Sequence, residues 1–242
     1  MAKYDIVYIL KNDISSDEIR YSVRSVCENF PYKRIIFIGG CPEGIKPDVY
    51  IPHEQTGSTK WQRARSSLLK ILKDENISDK FFLFNDDFYV LKKQKENFIN
   101  FANGTIEHRI REIERKTNKT SSYSEMLRAL QRNLLSQKKD TVNFALHLPM
   151  LIDRKEALKI LTENGKEPMF RSFYANFADI PYIRHKDVKI YDLDSLPIFD
   201  DYLSTSDESF KNGAVGVWIR DRFPEPCKYE ILEELEDDKQ DL

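Results

Sequence analysis

Apolar positions along this chain follow two rhythms, and the change from one to the other marks its elements. Residues 4–10, Tyr-Asp-Ile-Val-Tyr-Ile-Leu, form an aromatic and β-branched run that predicts a buried strand. From Glu18, the apolar residues Ile19, Val23, Val26 and Phe30 recur at helical spacing; Ser16 or Asp17 would cap that helix and Pro31 would end it. Residues 33–38 read as a second buried strand, stopped by Gly39 and Gly40. Strand, helix and strand in that order form the unit of a parallel, doubly wound sheet. A third short strand is predicted over 48–51 and a helix over 60–73, with Trp61, Ala64, Leu68, Ile71 and Leu72 near one face. Residues 81–84, Phe-Phe-Leu-Phe, carry no polar interruption, which predicts a central strand. That strand runs directly into Asn85, Asp86 and Asp87, and an extended pattern resumes at Phe88.

Beyond that point the pattern is weaker. Residues 94–140 are rich in Lys, Arg, Glu, Asn and Ser, with scattered Ile106, Ile110, Ile113, Leu127, Leu130 and Leu134. They predict two helices projecting from the sheet as an insert or lid. Their charges read either as a solvated face or as a grip on a polyanionic acceptor. Residues 143–148 are predicted as a strand, and a helix follows from Asp153 through Leu161. Residues 170–195 mix aromatics with short strands. The last forty residues read as a polar loop over 200–213, an apolar run over 215–219, and an acidic tail that frays.

A chain of 242 residues with this pattern fits a single domain, 1–242, with the helical insert inside it. A net charge of -2 argues against a uniformly basic nucleic-acid coat. The cysteines, Cys27, Cys41 and Cys227, are odd in number and show no CxxC spacing, which excludes a disulfide framework or thiolate zinc site as the expected reading. With no apolar run long enough to cross a bilayer and no signal-like start, a cytoplasmic protein is expected.

Three clusters suggest chemistry. Asp86 and Asp87, preceded by Asn85, sit where a sheet strand ends, the place at which open α/β sheets bind ligands. Such a pair can hold Mg²⁺ or Mn²⁺, which would neutralise a diphosphate; the same three residues are also common turn chemistry. Arg20 and Arg24 share a face near the start of the first helix, suited either to phosphate or to neighbouring acids such as Asp17 and Glu28. His147, after a strand and before Pro149, suits either a general base or a structural role. Arg171, Arg184, His185, Asp200, Asp201 and Asp207 could complete a site.

Together these segments resemble the Stealth family of bacterial capsule sugar-phosphate transferases, whose animal relative makes the mannose-6-phosphate tag. Residues 4–8 look like its first block. Residues 17–26 (Asp-Glu-Ile-Arg-Tyr-Ser-Val-Arg-Ser-Val), followed by Ile35–Ile38 and Phe82–Asp87, look like the second. Residues 147–153, His-Leu-Pro-Met-Leu-Ile-Asp, resemble the third, and residues 222–230 the end of the fourth. The resemblance implies a glycosyltransferase-A-like, mostly parallel central sheet flanked by helices. It also implies a nucleotide-sugar donor, most simply a UDP-sugar, and transfer of a hexose-1-phosphate to a sugar hydroxyl. Carried across by position, Asp5, Arg20, Arg24, Asn85 and Asp86 would serve the donor and Asp86 and Asp87 the metal. His147, Asp87 and Arg171 would be catalytic.

The match departs from the family at three places. The first block continues as Ile9-Leu10-Lys11-Asn12, the family's second histidine of block three is Met150, and the Asn-Asp element of block four is not plain. The leading expectation is therefore a metal-dependent transferase that moves a hexose-1-phosphate, or the sugar alone, onto a hydroxyl, with a glycan as acceptor. Two alternatives stand beside it: glycosylation of modified DNA bases, which the composition permits and the net charge disfavours, and a catalytically inactive sugar-nucleotide or glycan-binding module.

Overall fold

The computed structural model describes residues 4–14, 17–165, 167, 169–196 and 200–231. Ser16, one candidate helix cap, and most of the acidic tail lie outside the described residues.

Strand β1 (Asp5–Leu10), helix α1 (Glu18–Asn29) and strand β2 (Ile35–Gly39) form the predicted strand–helix–strand unit of the sheet. Strand β3 (Val49–Pro52), helix α2 (Lys60–Lys73) and strand β4 (Lys80–Phe84) follow where the pattern places them. The chain then forms β5 (Phe88–Val90), β6 (Asn100–Ala102), α3 (Ile106–Thr117), α4 (Ser122–Ser136) and β7 (Met150–Asp153). Its last part holds α5 (Arg154–Glu163), α6 (Phe170–Phe177), β8 (Tyr182–Arg184), β9 (Lys189–Ile190), β10 (Tyr202–Thr205), α7 (Asp207–Asn212) and α8 (Ala214–Arg222).

The central sheet has the order β3-β2-β1-β4-β7, with β3, β2, β1 and β4 parallel and β7 antiparallel to β4. The fold is thus mixed α/β around a mostly parallel sheet. Strand residues alternate faces, and here both faces are covered. Val7, Ile36, Ile38, Phe81 and Leu83 pack into one cluster with α2, α5 and α6, while Ile6, Tyr8, Leu10, Phe37, Phe82 and Phe84 pack against α1 on the other side. That is why the strands read as unbroken apolar runs. At the end of β2, Gly39 adopts φ +96, and a Cβ there would meet the Leu10 carbonyl oxygen at 2.3 Å; only glycine lets β1 and β2 close up beside the ligand edge.

Four expectations need correction. First, the two insert helices do not project from the sheet: Ile106, Ile110, Leu127, Leu130 and Leu134 are buried in the same cluster as Val7 and Phe81. The apolar stripe is sparse but sits at core spacing, so α3 and α4 lie down on the domain. Second, many of their basic residues are paired. Arg111 reaches Glu107 at 2.6 Å, Arg128 reaches Glu114 at 2.6 Å and Lys139 reaches Asp179 at 3.1 Å. Third, residues 143–148 form no strand. Asn143 instead exchanges backbone hydrogen bonds with Asn103 and Gly104 (both 3.0 Å), and Phe144 N donates to Ser172 Oγ on α6 (2.9 Å). Fourth, the polar loop expected over 200–213 contains β10 and α7. A short second sheet, β5-β10-β9, captures Tyr202–Thr205 and buries every residue of it.

No helix among the described residues is long and apolar enough to cross a membrane.

Candidate active site

Beyond the carboxyl ends of β1 and β4 opens a cavity of about 1120 Å³, lined among others by Lys11, Asn85, Asp86, Asp87, His147, Arg171, Lys189 and Asp207. Its position follows from the topology. Parallel strands deliver their carboxyl ends to one edge, and the chain must leave the sheet there in loops.

Asn85 to Phe88 makes a turn, with Phe88 N donating to the Asn85 carbonyl at 3.3 Å. The turn reading of this segment therefore holds, and the turn presents its carboxylates to the cavity. Asp87 is buried, at 7% exposure. Its Oδ2 accepts from Lys189 Nζ on β9 at 2.7 Å and from Ser204 Oγ on β10 at 3.1 Å. Its Oδ1 is buried with no hydrogen-bond partner among the described residues. An orphaned carboxylate oxygen of that kind is costly to a fold unless something else satisfies it.

Asp86 stands beside it. Burial pushes its carboxyl up to about 6, the neighbouring charges of Asp87 and Asp207 adding to the effect against the pull of Lys11. Glu18, at the start of α1, is pushed up to about 7 by burial and by the same aspartates, while accepting from Thr205 Oγ1 at 2.8 Å. Negative charge is therefore crowded around this corner, which favours a cation. Among the described residues, no three His, Cys, Asp or Glu side chains enclose a metal by themselves. Mg²⁺ does not require that, since it commonly takes one or two carboxylates and completes its shell with water and substrate phosphates. Asp86 and the orphaned Oδ1 of Asp87 fit such a role.

His147 lines the same cavity. Its Nδ1 lies 3.0 Å from both Asp187 oxygens, and its backbone N donates to Asp187 Oδ1 at 3.1 Å. An ionised carboxylate only accepts, so Nδ1 carries a proton, and in the neutral ring the lone pair is then on Nε2. Burial pushes the Asp187 carboxyl up, and the hydrogen bonds from His147 outweigh it, holding it below its ordinary value. A carboxylate that fixes the tautomer of a histidine is the arrangement by which a general base is oriented.

Arg171, on α6, donates to the Leu148 carbonyl at 2.7 Å, reaches Asn85 Oδ1 at 3.5 Å, and lies over the Phe88 ring at 5.4 Å. No carboxylate lies within ion-pair distance of it among the described residues. Burial pushes its guanidinium down to about 10, so it is still charged at neutral pH.

The structure brings Asn85, Asp86, Asp87, His147 and Arg171 to one cavity and leaves three other expected residues out of it. Asp5 lies at the amino end of β1, the wrong end for a ligand. It is fully buried and accepts from Arg34 (3.0 and 2.8 Å) and Ser78 N (2.9 Å). Arg20 and Arg24 are committed to Glu230, each at 2.7 Å. Arg24 also donates to the carbonyls of Phe223 and Pro224 at 2.8 Å. Their helix face was read correctly, but the anion it meets is the chain's own carboxylate. Of the later polar residues, Asp207 lines the cavity, His185 pairs with Asp200 at 3.4 Å, Asp201 pairs with Lys92 at 2.9 Å, and Arg184 is exposed. Met150, in the place of the family's second histidine, is buried in β7 against the core.

Asp187, Lys189, Ser204 and Glu18 escaped the sequence reading. The only local signal was the alternation His185-Lys186-Asp187-Val188-Lys189, which puts charge on both sides of one apolar residue. Neither the protein-family models nor the curated proteins compared with this chain match it.

Proposed function

We propose that this protein is a nucleotide-sugar-dependent transferase of the glycosyltransferase-A type, moving a sugar or a hexose-1-phosphate onto a hydroxyl acceptor. The observation that carries this reading is the convergence of Asp86, Asp87, Arg171 and the His147–Asp187 pair on one cavity at the carboxyl edge of a parallel sheet. At about 1120 Å³ the cavity slightly exceeds the range of roughly 300–1,000 Å³ usual for one small ligand. It has room for a donor and an acceptor side by side.

In this reading Arg171, Lys189 and Lys11 hold the donor's diphosphate in place by charge. A divalent ion bound by Asp86 and Asp87 would neutralise charge on that diphosphate as it leaves or is attacked. His147 Nε2 takes the proton of the acceptor hydroxyl while Asp187 holds the ring and stabilises the imidazolium that forms.

Calorimetric titration with UDP, UDP-sugars and their guanosine and cytidine counterparts, with and without Mn²⁺, tests the donor assignment. Metal-dependent binding of one nucleotide is expected; absence of binding to all of them would favour a glycan-binding module without donor chemistry. The by-product then identifies the bond that breaks: UMP if phosphate travels with the sugar, UDP if it does not. Asp187→Asn is expected to lower turnover roughly a hundredfold at nearly unchanged donor KM, because an amide no longer fixes the His147 tautomer. An unaltered kcat would remove His147 from the role of base.

A further inference from the structure

The chain as a whole is slightly acidic, yet the cavity lining carries seven lysines and arginines against four aspartates. Three of the cations, Lys11, Arg171 and Lys189, stand around Asp86 and Asp87. The others form a separate wall. Lys60, Arg63 and Arg65 lie on α2, and Arg109 comes from α3. Lys60, Arg63 and Arg65 have no carboxylate within ion-pair distance among the described residues. Arg63 Nε donates to the Gly57 carbonyl, at 3.2 Å. Arg65 donates to the carbonyls of Leu161 and Gly165, both at 3.1 Å, and its Nε is buried without a partner among the described residues. Arg65 feels the charge of the buried Glu167 and Arg109 that of Glu112, but four cations against these two carboxylates leave an excess of positive charge, which favours a ligand that supplies the opposite sign.

The same wall is aromatic. Trp61 on α2 and Tyr123 on α4 stack at 5.9 Å with their planes 11° apart, and both line the cavity. Lys60 Nζ lies over the Trp61 ring at 4.9 Å, and flat, half-buried rings beside cations suit a saccharide, whose apolar ring face packs on an aromatic surface while its substituents meet the charges. Arg109 ties this wall to the catalytic pair: it reaches Glu112 at 3.4 Å and Asp187 Oδ2 at 3.9 Å. A hydroxyl positioned at His147 therefore belongs to a molecule whose remainder extends along α2 and α3.

We propose that the wall formed by α2, α3 and α4 is the acceptor subsite and takes an anionic saccharide, one carrying phosphate or carboxylate close to the reacting hydroxyl. This rests on the transferase reading above and names its acceptor class. The insert helices thus contribute recognition through their inner face, where Arg109, Ile113 and Tyr123 line the cavity; on the outer face Arg111 is spent on Glu107.

The test uses the full chain carrying Trp218→Phe, so that Trp61 alone reports by fluorescence. The probes are maltopentaose as the neutral saccharide, trigalacturonate as the carboxylate and pentamannose phosphate as the phosphate, each titrated in the presence of UDP and Mn²⁺. One or both charged saccharides are expected to bind about tenfold tighter than the neutral one, with an advantage that shrinks as salt rises. The stronger of the two identifies the anionic group. Lys60→Ala/Arg63→Ala, two exposed positions, is expected to erase that advantage and leave UDP affinity unchanged. Arg65→Gln provides a second variant with the same expected direction. Equal affinity for neutral and charged saccharides, or no saccharide binding, overturns the proposal. So does a parallel loss of UDP affinity in the double variant, which would assign these cations to the donor, or tighter binding of a single-stranded DNA 12-mer than of any saccharide. If UDP fails to bind the unaltered protein while the charge preference persists, the donor reading falls and the saccharide subsite stands.

Discussion

Replacing Asp87 by asparagine is expected to weaken Mn²⁺-dependent binding of the UDP-sugar roughly a hundredfold, the effect of removing one charged contact worth ~3 kcal/mol in a buried site. The substitution keeps the shape of the side chain. Its amide oxygen can still accept from Lys189 Nζ and Ser204 Oγ, which now stand 2.7 and 3.1 Å from Oδ2. What is lost is the charge and the oxygen that has no partner among the described residues. Calorimetry in the presence and absence of Mn²⁺ measures the loss, and circular dichroism on the same sample checks that the fold survives. Donor affinity that is unchanged in the variant, with Mn²⁺ present, would remove Asp87 from the metal site. Asp86→Asn on the same titration separates the two carboxylates, since Asp86 has a different environment: it is half-buried and pushed up to about 6.

The second large effect concerns stability. Glu230→Ala is expected to destabilise the fold by about 3 kcal/mol, because it leaves Arg24 without its carboxylate and Arg20 with the more distant, exposed Asp17 at 3.8 Å. The Glu230 side chain is 2% exposed and Arg24 10%, so solvent does little to screen this contact. Cys227 N also donates to Glu230 Oε1 at 2.9 Å, and Tyr229 donates to Asp48 Oδ2 at 2.6 Å, so the terminal segment is fastened to α1 and to the β2–β3 connection. A loss of this size lowers the melting temperature by roughly 6–12 °C in a chain of this length.

The pH dependence has a definite sign. Burial pushes the Glu230 carboxyl up, but hydrogen bonds from Arg24 and Arg20 outweigh it and hold it at about 2. A carboxyl depressed in the folded state stabilises fully above its unfolded value and loses that contribution as pH falls towards the folded value. The difference between native and Glu230→Ala proteins should therefore be largest near neutral pH and shrink from about pH 4.3 down to about pH 2. Thermal melts of both proteins across that range measure it. A difference that stays constant down to pH 2 would show that the ion pairs contribute nothing and that Glu230 acts only through packing.

The substitution also separates two roles that the sequence merged. Arg20 and Arg24 lie four residues apart on one helix face and look equally fit for a phosphate or for a carboxylate. Helical spacing states which residues share a face, and says nothing about what lies opposite. Glu230 follows them by more than two hundred positions, and no local rule links the two. Asp5 misled for a related reason. Its strand was predicted correctly, yet a residue at the start of a parallel strand ends up at the sheet edge away from ligands.

By itself the sequence determined the local elements of the central sheet. The unbroken apolar runs of β1, β2 and β4 and the helical spacing of α1 and α2 record burial on both faces of a sheet, and burial of that kind leaves a periodic mark. It also determined that Asn85, Asp86 and Asp87 leave β4 at its carboxyl end. Tertiary structure alone decided what those carboxylates meet. Lys189 and Ser204 arrive on two short strands that exist only because β5, β9 and β10 pair. Asp187 reaches His147 across forty residues of sequence. The insert helices lie on the core because their few apolar side chains find a matching surface there. Hydrophobic periodicity is a property of neighbours along the chain; charge pairing is a property of neighbours in space, and only the closed fold defines those.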